Sequence, residues 1–198
     1  MNVVILASHE GTTLQAVLDA DRALSSSVVL IISNNSTSGA LRRARVAGVP
    51  AVHLSASTHP DPGALDSAIL DALRTVKADL VLLAGYMKKL GPRVVQEYRG
   101  RVIHVHPSLL PKFGGTGMFG RRVYEAVLAS GDTETGASVH FVETDYDVGQ
   151  VVAQCRVPVN AGDTVETLAA RVQESERLLV VRTLERFSND SIWCRANG

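Results

Sequence analysis

The chain has 198 residues, of which 45% are hydrophobic, enough for one globular domain with a sizeable core. Twenty basic residues balance twenty acidic ones, so the overall charge gives no reason to expect binding to nucleic acid or to an anionic membrane. The two cysteines are too few for a disulfide framework, and no run approaches the ~20 apolar residues of a membrane helix. We therefore expect a cytoplasmic protein without a nucleic-acid or membrane partner.

Strand and helix patterns alternate along the first half of the chain. We predict strands at 2–8, 28–33, 51–54, 80–85 and 102–106, and helices at 14–24, 39–49, 63–76 and 92–98. Aliphatic runs that are separated by amphipathic helices are typical of buried parallel strands in βαβ units.

The alternation of strands and helices ends in the second half of the chain. Strand-like runs at 137–143 and 150–159 are joined only by TDYDVG, which predicts antiparallel neighbours added to the sheet. An apolar stripe from Thr164 to about Leu184 predicts a last helix. The predicted fold class is α/β, with a mostly parallel twisted sheet flanked by helices and antiparallel strands near the C-terminal half. We predict one domain at 1–187 and a polar C-terminal tail at 188–198.

The fifth predicted strand ends in VIHVH, which places His104 and His106 on the same side of an extended segment. These histidines can be metal ligands, core residues held by backbone groups, or acid/base groups. Zinc needs a third protein ligand, for which the sequence offers His140, Asp145 and Asp147. Acid/base chemistry needs a carboxylate that orients the imidazole, and Asp147 is available. Spacing alone makes the metal site the least favoured interpretation and leaves the other two level.

The loop SHEGTTLQ follows the first predicted strand. In sheets of this class ligands bind outside the carboxyl ends of the strands. Gly11, Thr12 and Thr13 open a helix there and can present N–H groups and hydroxyls to a phosphate. On spacing alone, a turn glycine with a threonine N-cap is the favoured interpretation.

Several longer segments occur in a fixed order: GTTLQAVLDA, LLAGYMKKL, HPSLLPKF, GASVHFVETDYDVGQVVAQ and LAARVQESE. Over roughly residues 1–185 they resemble the phosphoribosylglycinamide formyltransferase family, whose members use 10-formyltetrahydrofolate. The resemblance implies a Rossmann-like fold and transfer of a formyl group from 10-formyltetrahydrofolate to a small-molecule amine in purine biosynthesis. It implies glycinamide ribonucleotide as the amine, a monomer or homodimer, and no metal ion.

The resemblance also assigns roles at the transfer centre. It implies that His106 is the catalytic histidine, that Asp147 raises its pKa, and that His140 is a structural residue near the site. The family has asparagine at position 104, where a carboxamide donates to the formyl oxygen. We expect His104 to replace that donor.

Two further groups of residues are implied to bind ligands. The folate-binding residues on the two sides of the cofactor are Met87, Lys88, Lys89 and Leu90, and Glu143, Thr144 and Asp145. The phosphate loop and the carboxylate that contacts the ribosyl glycinamide are Gly11, Thr12, Thr13 and Glu176. The chain departs from the family at Glu10 and Thr13 in the phosphate loop, and at Pro62 near the folate. These departures keep two alternatives open, a one-carbon transferase acting on another amine and a formyltetrahydrofolate hydrolase, the latter also in a metal-dependent form.

Overall fold

The computed structural model describes residues 1–20 and 26–189 of the chain. The strands in this part are β1 (Asn2–Leu6), β2 (Ser27–Ser33), β3 (Ala51–His53), β4 (Leu80–Leu83), β5 (Val102–His106), β6 (Glu134–Phe141) and β7 (Val151–Pro158). The helices are α1 (Thr12–Ala20), α2 (Gly39–Ala47), α3 (Pro62–Thr75), α4 (Pro92–Glu97), α5 (Arg121–Ser130) and α6 (Val165–Asn189).

All seven of these strands form one sheet in the order β3-β2-β1-β4-β5-β6-β7. The strands from β1 to β5 pair in parallel, while β6 pairs antiparallel with both β5 and β7. This topology confirms the predicted mostly parallel α/β sheet and its antiparallel extension. The strand order reverses at β1 and β4, which places a ligand crevice at the carboxyl ends of these strands.

The sheet is buried on both faces because its central strands alternate between two cores. Val3 and Ile5 of β1 belong to the core beneath α1, α2, α5 and α6. Val4 and Leu6 point to the opposite core, beneath α3 and α4. This two-residue alternation is the reason why β1 and β4 read as uninterrupted aliphatic runs.

The structure differs from the sequence prediction at two helices. Helix α5 was not predicted, because the glycines before it mark the segment as a loop; Val123 and Val127, four residues apart, are the buried signal that it carries. Helix α6 continues beyond Leu184 to Asn189 and buries Phe187 in its last turns. Of the predicted tail, residues 190–198 lie outside the described part of the chain, as do residues 21–24 of the first predicted helix.

The helices were compared with the requirements of a membrane span. Within residues 1–20 and 26–189, no helix combines the length and the apolar character that a membrane span requires.

Candidate active site

A cavity of about 920 Å³ opens at the carboxyl ends of β1, β4 and β5. Its walls come from the loops that follow these strands, from the glycine-rich loop before α5, from the β6–β7 connection and from α6. Small-molecule sites usually measure about 300–1,000 Å³. This cavity lies near the top of that range and is large enough for more than one small ligand.

Three imidazole rings surround the carboxylate of Asp147 inside this cavity wall. β5 carries His104 and His106 on one face of the sheet, and the antiparallel register sets His140 of β6 opposite His104. Asp147 reaches the rings from the β6–β7 connection, where its backbone has a left-handed φ of 56°. Aspartate and asparagine adopt this conformation more readily than most residues. The Asp147 side chain is only 8% exposed, so water screens these contacts weakly.

The two carboxylate oxygens of Asp147 have different partners. Oδ2 lies 3.4 Å from His106 Nδ1 and accepts a 2.9 Å hydrogen bond from the Gly115 N–H. Oδ1 lies 3.4 Å from His104 Nδ1 and 3.3 Å from His140 Nε2. These last two nitrogens are 3.2 Å apart. One carboxylate oxygen therefore serves the predicted acid/base histidine, and the other lies in a close triangle with two further rings.

Backbone carbonyls determine which nitrogen carries a proton in two of the rings. His106 Nε2 lies 2.7 Å from the Phe113 carbonyl oxygen, and His140 Nδ1 lies 2.9 Å from the Phe141 carbonyl oxygen. A carbonyl oxygen only accepts hydrogen bonds, so each of these nitrogens donates an N–H. In the neutral rings, His106 Nδ1 and His140 Nε2 are then unprotonated, and both face Asp147.

Burial and charge set the ionisation of His106 and Asp147. Burial lowers the pKa of His106 below its ordinary value of 6.5 and outweighs the raising effect of the Asp147 charge. Burial acts to raise the pKa of Asp147, but its contacts with His104, His140 and His106 hold that pKa well below its ordinary value of 3.8. At neutral pH the pair is thus a neutral imidazole beside a carboxylate. The resemblance implied a raised histidine pKa; the carboxylate does act in that direction, but the net shift is downward.

The opposite end of the cavity is formed by the loop after β1 and by α6. Thr13 donates a 3.0 Å hydrogen bond from its hydroxyl to Glu176 Oε1, so the predicted phosphate loop and the predicted substrate carboxylate are in contact. Burial of the Glu176 carboxyl raises its pKa to about 7. Gly11 has a φ of 70°, and a Cβ there would lie 2.9 Å from Cα of Ala40, so the loop requires glycine at this position.

Glu10 lines this end of the cavity with a negative charge. Its carboxylate lies 3.3 Å from Nη2 of Arg42 on α2, and its backbone carbonyl accepts a 2.8 Å hydrogen bond from Arg43. Both charged groups of the Glu10–Arg42 pair are largely exposed, so the arginine offsets the carboxylate only partly.

The loop after β4, predicted to hold the pterin, lies across the cavity from the β6–β7 connection. Met87 donates its backbone N–H to Ser8 Oγ at 2.8 Å, which ties the loop to the end of β1. Lys89 places Nζ 5.3 Å from the ring centroid of Tyr146, so the two predicted folate-binding segments approach each other. The Leu90 side chain is buried in the core, and Leu90 does not line the cavity.

The predicted folate-binding residues differ in how they are placed. Met87 and Lys88 line the large cavity, and Lys88 and Lys89 line a second cavity of about 430 Å³ beside it, together with Pro62. Glu143 is half-buried, and Thr144 and Asp145 are exposed. None of these last three lines either cavity.

Comparison with known proteins connects this geometry to a family. The family model described as formyl transferase matches residues 1–184. The chain belongs to the formyl transferase family. The resemblance read from the sequence motifs is thereby confirmed.

Curated relatives cover almost the whole chain. It is 36% identical to phosphoribosylglycinamide formyltransferase of Escherichia coli over 200 residues, which is 100% of this chain and 92% of that protein. It is 35% identical to the chloroplastic phosphoribosylglycinamide formyltransferase of Vigna unguiculata over 99% of this chain, and 37% identical to the trifunctional purine biosynthetic protein adenosine-3 of Bos taurus over the same share. The chain spans 64% of the Vigna protein and 19% of the bovine one.

Two solved structures have the same fold as this chain. Glycinamide ribonucleotide transformylase 1 from Symbiobacterium toebii superposes with a TM-score of 0.88 at 35% identity, over 95% of this chain and 87% of that one. A formyltetrahydrofolate deformylase from Pseudomonas syringae superposes with a TM-score of 0.84 at 26% identity, over 96% of this chain and 61% of that one.

The sequence did not identify several residues that form this formyl transferase site. The Phe113 carbonyl and the Gly115 N–H hold the His106–Asp147 pair from the loop before α5. Phe119 is an exposed aromatic side chain that lines the cavity, as does Tyr146, which lies within the 143–147 stretch expected to cover the folate. Three glycines between residues 114 and 117 were the available signal, because such a run allows backbone groups to approach a buried side chain closely.

Proposed function

We propose that this chain transfers the formyl group of 10-formyltetrahydrofolate to the primary amine of glycinamide ribonucleotide. The observation that carries the proposal is the buried His106–Asp147 pair in a cavity whose other end holds the Gly11–Thr13 loop and Glu176. Membership of the formyl transferase family supports the same reaction.

His106 is the group that moves the proton in this proposal. The amine nitrogen attacks the formyl carbon, a C–N bond forms, and the carbonyl electrons move onto the formyl oxygen. Nδ1 of His106 takes the proton that the amine loses, since Nε2 is already committed to the Phe113 carbonyl. Asp147 stabilises the resulting imidazolium through Oδ2, which lies 3.4 Å from Nδ1.

The second half of the reaction returns the proton. The bond between the formyl carbon and the folate nitrogen breaks, the carbonyl re-forms, and the folate nitrogen takes the proton from His106. The products are a formamide and tetrahydrofolate. These proton transfers use no metal ion. We assign stabilisation of the charged oxygen to His104, which stands where the family has its carboxamide donor.

The end of the cavity formed by the loop after β1 and by α6, here called the acceptor end because the amine would bind there, suits a phosphorylated amine. Helix α1 begins at Thr12, and its N-terminus can offer backbone N–H groups and the Thr12 hydroxyl to a phosphate, while the Thr13 hydroxyl donates to Glu176. Glu176 supplies a carboxyl group for the ribosyl glycinamide portion. We place the folate between the Met87–Leu90 loop and the 143–147 segment; the approach of Lys89 to Tyr146 supports this position.

The same proposal includes a cytoplasmic location and a monomer or homodimer. The test is an assay of tetrahydrofolate release from 10-formyltetrahydrofolate by the purified chain, first with glycinamide ribonucleotide and then with a panel of other amines. We expect the ribonucleotide to be the preferred amine, with the highest kcat/KM. Faster release with an unphosphorylated amine, or equal release without any amine, would contradict the assignment.

A further inference from the structure

We propose that His104, His140 and Asp147 form a binding site for a divalent transition-metal ion, and that zinc is the ion that fits it best. The site shares Asp147 with the proton-transfer pair, but it uses Oδ1, whereas His106 faces Oδ2. Within residues 1–20 and 26–189, these three residues are the only group of histidine, cysteine and carboxylate side chains that brings three or more ligand atoms within 4.8 Å of one another.

The distances between the three ligand atoms fit a tetrahedral ion. His104 Nδ1, His140 Nε2 and Asp147 Oδ1 form a triangle with sides of 3.2, 3.3 and 3.4 Å. Zinc binds nitrogen and oxygen ligands at about 2.0–2.1 Å in a tetrahedron, whose edges are then about 3.3–3.4 Å. Octahedral ions at about the same bond length would bring neighbouring ligands to about 2.8–3.0 Å. The observed triangle matches one face of the tetrahedron.

The nitrogen–nitrogen side of the triangle is a 3.2 Å hydrogen bond, whereas the two nitrogen–oxygen sides are long for hydrogen bonds. Charge-assisted N–H···O hydrogen bonds are usually about 2.7–2.9 Å long, and both nitrogen–oxygen sides are longer than that. His140 donates from Nδ1 to the Phe141 carbonyl, so in its neutral form it turns an unprotonated Nε2 toward the carboxylate. Without an ion, a proton on His104 Nδ1 faces both His140 Nε2 at 3.2 Å and Asp147 Oδ1 at 3.4 Å, and a cation would take the place of that proton. A cation in the triangle would satisfy all three atoms at once.

The surroundings of the triangle have the features of a metal site. The Phe141 carbonyl fixes the tautomer of His140, and the Gly115 N–H holds the other carboxylate oxygen of Asp147. Such outer partners orient ligands in known zinc sites. His140 is buried, but His104 is 24% exposed and lines the cavity. The fourth tetrahedral position can therefore open to the cavity, as in zinc sites that bind water or substrate.

This ligand set differs from the pair that the sequence suggested. The HVH pattern places His104 and His106 together, but His106 Nδ1 faces Oδ2, on the other side of the carboxylate from the triangle. The third ligand comes from β6, through the antiparallel register that sets His140 opposite His104. With asparagine at position 104, the triangle would lose one of its two nitrogens.

An ion at this site also has a consequence that rests on the proposed function. If His104 Nδ1 carries a proton in the absence of the ion, a neutral ring has no proton on Nε2 and cannot donate to the formyl oxygen. An ion bound to Nδ1 moves the proton to Nε2 and makes His104 a donor. The rate of formyl transfer should then depend on the ion, with a gain of about tenfold or more, since one oxyanion donor is usually worth about 100-fold or more.

The test measures binding without folate or amine, so its result does not depend on the reaction. The full chain is stripped with a chelator and titrated with Zn²⁺ against a chromophoric competitor, and with Co²⁺ by visible absorption. We expect one ion per chain and a cobalt spectrum of tetrahedral intensity. His104→Asn, which restores the family residue, should weaken zinc binding by more than about 100-fold, the upper end of the loss when an outer partner is removed. His59→Asn, in the loop before α3, is the matched control and should bind as wild type does.

Two results would overturn the site: no stoichiometric binding by the wild-type chain, or equal binding by wild type and His104→Asn. Loss of binding in His106→Asn with full binding in His104→Asn would show the ligand set to be wrong. In the formyl transfer assay, zinc should accelerate the stripped wild type and leave the rate of His104→Asn unaltered. Equal rates of the stripped and reloaded wild type would contradict only the proposed donor role of His104.

Discussion

The two ends of the cavity are built differently: the transfer end holds the His106–Asp147 pair, and the acceptor end holds the Gly11–Thr13 loop and Glu176. At the transfer end, Asp147 is nearly buried and both of its oxygens contact nitrogen atoms from β5, β6 and the loop before α5. At the acceptor end, Thr13 and Glu176 share one hydrogen bond, and Glu10 is exposed. The transfer end is thus held by several contacts around one carboxylate, whereas the acceptor end has one such contact at Glu176 and an exposed charge at Glu10. We infer that the chemistry is determined at the transfer end and the choice of amine at the acceptor end.

Substitutions at the transfer end should have the largest effect, and they should act on kcat. His106→Ala and Asp147→Asn should each lower kcat by about 100-fold or more, the usual size of a lost acid/base contribution. KM for the folate should change little in His106→Ala, because His106 lies outside the folate-binding segments. The measurement is steady-state kinetics on each variant, with His59→Ala as the control and circular dichroism as a check of folding. Near-native kcat in both variants would remove the acid/base role.

A substitution at the acceptor end should act on KM instead. Glu176→Gln should raise KM for the amine about 10- to 100-fold with a small change in kcat, since a hydrogen bond to a charged group contributes about 1.5–3 kcal/mol. Because the pKa of Glu176 is raised to about 7, the wild-type carboxyl loses its charge as the pH falls through 7. KM of the wild type should therefore rise toward acid pH, while KM of the variant stays flat. A fall in kcat with unchanged KM would place Glu176 in the chemistry.

The pH profile separates the two ends further. The pKa of His106 lies below 6.5, so the ring is neutral at pH 7 and becomes protonated only at lower pH. With saturating amine and folate, kcat should fall by about tenfold per pH unit on the acid side, with a midpoint below 6.5. A midpoint above 6.5 would mean that the carboxylate outweighs burial and that the ionisation described for this pair is wrong.

The smallest expected effect lies at the edge of the acceptor end. Glu10→Gln removes a negative charge next to the proposed phosphate position, so KM for a phosphorylated amine should fall by about two- to fivefold. The effect is small because Glu10 is exposed and already pairs with Arg42, and such charges are worth about 0.2–1 kcal/mol. KM for an unphosphorylated amine serves as the comparison. A rise in KM for the phosphorylated amine would indicate that Glu10 binds the amine itself.

The fold was largely predictable because its signals are local. Residues 3–6 of β1 and all of β4 are aliphatic, and only a sheet covered on both faces buries such runs fully. The antiparallel extension followed from the short segment between β6 and β7. Helix α5 was missed because its short apolar pattern follows a glycine-rich loop, and tertiary contacts with α6 complete its burial.

The site was predictable only in part. His104, His106 and Asp147 could be named from their chemistry and from the family resemblance. The contact of His140 with His104 depends on the register of two strands 36 residues apart, which no local pattern specifies. The Phe113 carbonyl and the Gly115 N–H are backbone groups, so residue type carries no direct information about their role.

One measurement tests the central claim most directly. The purified chain is mixed in excess with 10-formyltetrahydrofolate labelled in the formyl group, together with glycinamide ribonucleotide, and the label is followed through a single turnover. We predict that nearly all of the label appears in the formylated ribonucleotide, with little free formate, and that His106→Ala slows its appearance by about 100-fold. Label that appears as formate at the same rate with or without the amine would contradict the account and show a hydrolase.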